Sequence, residues 1–217
     1  MTTIRAFIFD LDGTLIDSLD DIADALNHGL RELRRSAATR DEVRDWIGDG
    51  LPMLCRRAAK IDDDELVHRL VTLTTDRYRQ HCLDATRPYR NILTQLELLR
   101  NRGLPLAVLS NKPHDLTMQI LDRLNLRALF DHARGCARDD DRKPSPRVAL
   151  EIAGAMARAP DEVMLVGDSE VDVATARNAG MVSVAVTWGF RSKSELEAVR
   201  PDHIIDSPDE LAALIDR

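Results

Sequence analysis

An α/β fold is predicted for this chain, with a central parallel sheet flanked by helices and a small all-helical domain inserted near the N-terminus. Three observations predict it. From Pro88 onward, short apolar runs alternate with amphipathic helical patterns, the order that builds a parallel sheet covered on both faces. Between about Asp17 and Ala85 only helical periodicity is present. Three of the apolar runs end in polar residues able to do chemistry together: Asp10 with Asp12, Ser110 with Asn111, and Asp168. The domain boundaries expected are 1–16 and 86–217 for the α/β core and 17–85 for the helical domain.

The elements follow in order. Ile4 to Phe9 reads as a strand ending in Asp-Leu-Asp-Gly-Thr. Leu19, Ile22, Leu26, Leu30 and Leu33 then recur at helical spacing, with Ser18 or Asp17 as the expected N-cap. Further helices are expected over Arg40 to Ile47, Leu51 to Ala59 and Asp64 to Cys82. A helix from Ile92 to Arg102 stops at Gly103, and Leu104 to Leu109 is a strand. A helix from Asp115 to Leu124 precedes a charged loop, Arg138 to Lys143, and another helix begins near Pro146. Val163 to Val166 is a strand, Val171 to Ala179 a helix closed by Gly180, and Val182 to Val186 a strand. The tail reads as strand, His203 to Ile205, then helix, Asp209 to Ile215.

At 217 residues the chain is long enough for a core domain with an insert. Aromatic residues make up only 4%, too few for a surface that stacks bases, and the net charge of -7 opposes a polyanion held on a basic face. Nucleic acid is therefore not an expected partner. No apolar stretch approaches the ~20 residues of a membrane span, and the run Ala6 to Phe9 is too short for a leader. Cys55, Cys82 and Cys136 are odd in number, widely separated and without a C-x-x-C pair, which fits reduced structural thiols. The expectation is a cytoplasmic protein.

Ligands of open α/β sheets bind beyond the carboxyl ends of the strands, so the three polar strand ends are the candidate site. Asp10 and Asp12 start on the same side of an extended backbone, and Gly13 permits the turn after them. The other Asp-x-Asp triplets, Asp62 to Asp64 and Asp139 to Asp141, lie in polar runs and read as solvated surface. A carboxylate can attack phosphorus, and a second can protonate the leaving oxygen and then activate water. Two such carboxylates side by side need a cation, for which magnesium with its oxygen ligands is suited. Asp168 supplies another carboxylate, and Asp172 lies one helical turn on. Phosphoryl transfer also calls for a fixed positive charge. Lys143, one of four lysines against 26 arginines, is the candidate.

These residues, in this order, resemble the haloacid dehalogenase superfamily. Its four motifs are matched by Asp10-Leu11-Asp12-Gly13-Thr14, Ser110-Asn111, Lys143-Pro144 and Gly167-Asp168-Ser169-Glu170-Val171-Asp172. The resemblance implies a Rossmann-like core, Asp10 as nucleophile, Asp12 as acid and base, and Ser110 and Lys143 holding the transferring phosphoryl group. It implies magnesium bound by Asp10, the main-chain carbonyl of Asp12 and Asp168, with Asp172 in support. The helical insert then corresponds to the family's cap. Dehalogenases carry an aromatic residue and phosphonatases an alanine where this chain has Asp12, which leaves phosphatase or phosphomutase chemistry.

Several stretches are similar to the phosphoglycolate phosphatases within that superfamily: Val43 to Gly50, Leu109-Ser110-Asn111-Lys112-Pro113, and Val186-Thr187-Trp188-Gly189 through Pro201-Asp202. On this resemblance the substrate is a small phosphorylated metabolite, 2-phosphoglycolate first. Asn111 and the Gly48-Asp49-Gly50 turn are expected to contact it, whereas Arg56 and Arg57 read as a solvated helix face. Two places depart from the pattern: Arg90-Asn91 stands where Pro-Gly is usual, and the linker Arg34 to Thr39 lacks a Gly/Pro turn. The alternatives are a phosphatase for a sugar phosphate or pyrophosphate, a phosphomutase, and a non-catalytic relative. A monomer or homodimer is expected.

Overall fold

The computed structural model describes residues 3–60 and 63–215. The chain divides into two units, Met1–Ile16 with Pro88–Arg217, and Asp17–Arg87. The first unit opens with β1 (Ala6–Phe9), and the chain leaves it through β2 (Ile16–Asp17). The second unit holds α1 (Leu19–Glu32), α2 (Arg40–Trp46), α3 (Leu51–Ala59) and α4 (Asp64–His81). The chain returns through β3 (Arg87–Pro88), which pairs with β2. The first unit then continues with α5 (Ile92–Asn101), β4 (Leu106–Pro113), α6 (His114–Arg123), β5 (His132–Cys136) and α7 (Arg147–Ala155). It ends with β6 (Val163–Gly167), α8 (Glu170–Ala179), β7 (Val182–Val186), α9 (Lys193–Ala198), β8 (His203–Ile205) and a 3-10 segment, Pro208–Leu214.

The six-stranded sheet has the order β5-β4-β1-β6-β7-β8 and every pairing is parallel. Strand β1 is buried along its whole length, as a central strand covered on both faces must be. Its side chains alternate between those faces. Ala6 and Ile8 join a cluster with Ala149 and Ile152 of α7 and Ala176 of α8. Phe7 and Phe9 stack at 5.8 Å, and Phe9 meets Phe130 edge-on at 6.4 Å. The register sets Phe9 against Val108 of β4 on one side and Val166 of β6 on the other. The carboxyl ends of β1, β4 and β6 therefore lie side by side, where the strand order switches direction.

Within the helical unit, Leu19, Ile22, Leu26 and Leu30 form the buried face of α1. Gly29 lets α4 approach, since a Cβ there would lie 2.9 Å from Leu70 Cδ1. Ser18 occupies the N-cap of α1, where its side chain makes no capping bond; Asp17 Oδ1 accepts from Leu19 N at 3.3 Å. Asn27 holds the 34–39 linker by bonding both N and O of Ala38. Asp21 fastens the two ends of the unit together, accepting from the amides of Ala85 and Thr86 and from Thr86 Oγ1 at 2.6 Å.

The structure corrects several expectations. Strand β4 runs on through Ser110 and Asn111 to Pro113 rather than stopping at Leu109. The edge strand β5 and helix α9 have no counterpart in the sequence reading, and the C-terminal helix is a 3-10 segment. Asp141 is buried, not solvated, because its carboxylate turns towards Arg138 and Arg147. Asp63 caps α4 through Leu66 N, while Asp62 lies outside the described residues. At both departures from the family's turns a non-glycine residue takes the left-handed backbone conformation, Arg34 at φ 54° and Asn91 at φ 64°. Asparagine tolerates that region better than most residues. None of the three cysteines is in a disulfide. Among the described residues no helix is long and apolar enough to cross a membrane.

Candidate active site

Asp10 follows β1 directly, and its amide donates to Val166 O at 2.9 Å, so the backbone continues the parallel ladder into the site. The chain then turns tightly. The amides of Leu15 and Ile16 donate to Leu11 O, and that of Gly13 donates to Ile16 O. Leu11, Leu15 and Ile16 anchor this loop in the core. Gly13 is required twice over. Its φ is +83°, and a Cβ would overlap the carboxylate of Asp168.

Lys143 sits on the loop before α7 and is buried. Asn111 positions it: its Oδ1 accepts from Lys143 N at 2.7 Å and its Nδ2 donates to Lys143 O at 3.2 Å. Asn111, expected from the sequence to contact the substrate, tethers the lysine loop. The ammonium donates to Asp10 Oδ1 at 2.7 Å and to Asp172 Oδ1 at 2.6 Å. Ser110 is also buried, and its Oγ accepts from Lys112 N at 3.2 Å. Lys112 in turn donates to Asp12 Oδ1 at 2.5 Å.

Asp168 lies just beyond β6. Its Oδ2 accepts from Phe190 N at 2.7 Å, and Thr14 Oγ1 donates to its Oδ1 at 3.5 Å. Ser169 is the N-cap of α8, with Asp172 at the third helical position in a capping box. Asp172 therefore divides its two oxygens, Oδ1 to Lys143 and Oδ2 to Ser169 Oγ at 2.5 Å.

Carboxylate oxygens of Asp10, Asp168 and Asp172 lie within 4.8 Å of one another, and all three residues are buried. One ammonium, Lys143, faces this set directly. Burial pushes the Asp10 carboxyl up to about 7, opposed by Lys143 and reinforced by the charge of Asp172. Burial, then the charges of Asp10 and Asp172, raise Asp168 well above the carboxylate range. Burial alone would lower Lys143, but the charges of Asp10 and Asp172 outweigh it and hold the ammonium above its ordinary value. Three carboxyl groups thus face one lysine, and the raised Asp10 and Asp168 hold protons that a cation would displace. The cluster's donors are all oxygen and its geometry is close-set, which fits a small hard divalent cation.

The structure brings Asp10, Asp12, Ser110, Asn111, Lys143, Asp168 and Asp172 to one end of the sheet. Gly48, Asp49 and Gly50 belong to the helical unit. There Gly48 and Gly50 have φ of 129° and 85°, Gly50 caps α3, and Asp49 pairs with Arg57. Arg56 pairs with Asp64. Sequence reasoning assigned no role to Lys112, Phe190 or Gly189. A Cβ on Gly189 would overlap both Asp168 Cβ and the carbonyl of Gly13. Lys112 had a signal, being a rare lysine at the end of an apolar strand; the amide of Phe190 had none, because any residue carries one.

Comparison with known proteins agrees with this geometry. The model of the family "Haloacid dehalogenase-like hydrolase" matches residues 7–186. The chain is 35% identical over 213 residues to a phosphoglycolate phosphatase of Aquifex aeolicus, covering 98% of this chain and 97% of that protein. It is 34% identical to the phosphoglycolate phosphatase of Pseudomonas putida over 94% of this chain and 77% of that protein. Among solved structures, a haloacid dehalogenase-like hydrolase from Streptococcus pneumoniae superposes with a TM-score of 0.87 at 26% identity, over 99% of both chains. A protein from Haemophilus somnus, described as a predicted phosphoglycolate phosphatase, reaches 0.90 at 28% identity over 99% of both. With four motifs gathered at one sheet end and the family model spanning most of its length, the chain belongs to the haloacid dehalogenase-like hydrolases.

Proposed function

We propose that this hydrolase is a magnesium-dependent phosphatase that works through an aspartyl-phosphate on Asp10 and takes a small phosphorylated metabolite, 2-phosphoglycolate first. The observation that carries the reading is the buried set of Asp10, Asp168 and Asp172 around Lys143, with Asp12 two residues from the nucleophile. The substrate rests on the named activity of the two curated relatives above.

Asp10, Asp168 and the main-chain carbonyl of Asp12 would hold magnesium, with Asp172 supporting the site. When bound, the ion would offset charge on the phosphoryl oxygens and on the carboxylates that face them. An oxygen of Asp10 attacks phosphorus while Asp12 gives its proton to the leaving oxygen. Asp12 then takes a proton from water as that water attacks phosphorus, and the Asp10–phosphorus bond breaks. Lys143 and Ser110 hold the transferring oxygens, and fixed donors of this kind are typically the largest single contribution to such catalysis. Asn111 contributes by fixing the backbone of Lys143.

Phosphate release from 2-phosphoglycolate, hexose phosphates, nucleoside monophosphates and pyrophosphate, with magnesium and then with chelator, tests the reading. Magnesium-dependent turnover that prefers 2-phosphoglycolate is expected. A preference for another ester would retain the chemistry and replace the substrate. Slow turnover that a sugar bisphosphate accelerates would indicate a mutase, and unchanged activity in Asp10→Asn would overturn the mechanism.

A further inference from the structure

We propose that Lys112 is the positioning residue for Asp12, an inference that rests on the phosphatase reading. Lys112 Nζ lies 2.5 Å from Asp12 Oδ1, and the two side chains are only 6% and 12% exposed. A pair this enclosed is screened far less by salt than the surface pairs that contribute little. The backbone beneath it is also held. Lys112 N donates to Ser110 Oγ, and Lys112 O accepts from Thr117 Oγ1 at 3.4 Å. Gly135 of β5 approaches so closely that a Cβ there would lie 2.6 Å from Lys112 O. The ammonium is therefore presented from a fixed strand end.

The two ammonium groups of the site engage different carboxylates. Lys143 engages Asp10 and Asp172, and Lys112 engages Asp12. Asp12 has the more exacting orientation to keep. In the first step an Asp10 oxygen bonds to phosphorus, the phosphorus–oxygen bond to the leaving group breaks, and its electron pair stays on the leaving oxygen. That oxygen takes the proton carried by Asp12, so the carboxyl must point along the breaking bond. By anchoring Oδ1, Lys112 sets the plane of the carboxyl and the direction of Oδ2. Lys112 touches neither phosphorus nor the leaving oxygen and acts through Asp12.

The test compares an alkyl phosphate, whose leaving oxygen needs the proton, with p-nitrophenyl phosphate, whose leaving group departs without it. Lys112→Met, Lys112→Gln, Asp12→Asn and the double variant Asp12→Asn with Lys112→Met are assayed on both esters. The comparison is made on kcat/KM, which reports the steps up to the aspartyl-phosphate and excludes the later attack of water, a step common to both esters. A misaimed acid is expected to lower it about 100-fold on the alkyl ester, and on the aryl ester less than about tenfold. KM should not rise, and the double variant should lose little beyond Asp12→Asn. The ratio of the two rates within one preparation is independent of the folded fraction, so partial misfolding does not imitate the result. Equal losses on both esters, additive losses in the double variant, or a raised KM with kcat intact each overturn the assignment. A wild-type protein silent on every ester overturns the phosphatase reading and this inference with it, and is told apart by the unmutated control.

Discussion

Lys143 and Asp172 meet at 2.6 Å inside the protein, and the same ammonium reaches Asp10 at 2.7 Å. One lysine thus serves both the proposed nucleophile and a carboxylate fixed at a helix N-terminus. Lys143→Met would leave buried carboxylates without that charge, and breaking a buried pair in this way costs on the order of 3–5 kcal/mol. We expect a lower melting temperature in chelator and a fall in kcat of about 100-fold or more. Adding Asp172→Asn should recover part of the stability but none of the activity. A double-mutant cycle of denaturant midpoints measures this coupling, and strictly additive effects would contradict it.

The raised Asp10 carboxyl makes a signed prediction about pH. Metal-free, the folded chain keeps the Asp10 proton up to about 7, whereas an ordinary carboxyl gives it up near 3.8. Between those values the folded state binds more protons than the unfolded state, so stability falls as pH rises, the Asp10 contribution to the fall ending near 7. Asp168, also raised, acts in the same direction. Magnesium competes with these protons, so its stabilising effect should grow over the same range. Melting curves from about pH 5 to about pH 8, with chelator and with magnesium, check both statements. A magnesium shift that is larger at the acidic end would be incompatible with them.

Gly189 is expected to control metal affinity without touching the metal. Alanine there would push on Asp168 Cβ and on the carbonyl of Gly13, displacing the carboxylate that Phe190 N holds at 2.7 Å. Changes to groups that orient a metal ligand typically weaken binding ~10–100-fold. Titration calorimetry with magnesium on Gly189→Ala should show that loss with the fold intact by circular dichroism. Wild-type affinity would mean that the loop yields to the extra methyl.

How much of this was legible follows from where each residue sits. Strands β1 and β6 are buried along their whole length, so their residues are unbroken apolar runs, and the acids at their ends stand out against them; β7 is apolar but for Ser183. Strand β5 lies at the sheet edge and reads His-Ala-Arg-Gly-Cys, with only Ala133 and Gly135 buried, so no apolar pattern announces it. Helix α9 is six residues long with Leu196 alone buried. Asp10, Asp12 and Asp168 are readable because their chemistry is unusual at strand ends. The service of Asn111 to Lys143 is not, since it depends on backbone 32 residues away in sequence. Asp21 likewise looks like any acid in a first helical turn until Ala85 and Thr86 arrive beside it.

That last contact sets the integrity of the helical unit. Asp21 is 5% exposed and accepts from Ala85 N, Thr86 N and Thr86 Oγ1 at 2.9, 2.8 and 2.6 Å. A carboxylate satisfies three donors with two oxygens; an amide in its place offers one acceptor and introduces two donors. Asp21→Asn should therefore leave buried amides of the return segment without partners and lower stability by about 1–3 kcal/mol. Thr86→Val removes one donor together with its need for a partner, so its effect should be smaller. Hydrogen exchange gives the local readout: the amides of Ala85 and Thr86 should lose protection in Asp21→Asn, whereas those of β1 and β6 should not. Unchanged exchange at Ala85 and Thr86 would show that the return segment is held by something other than this carboxylate.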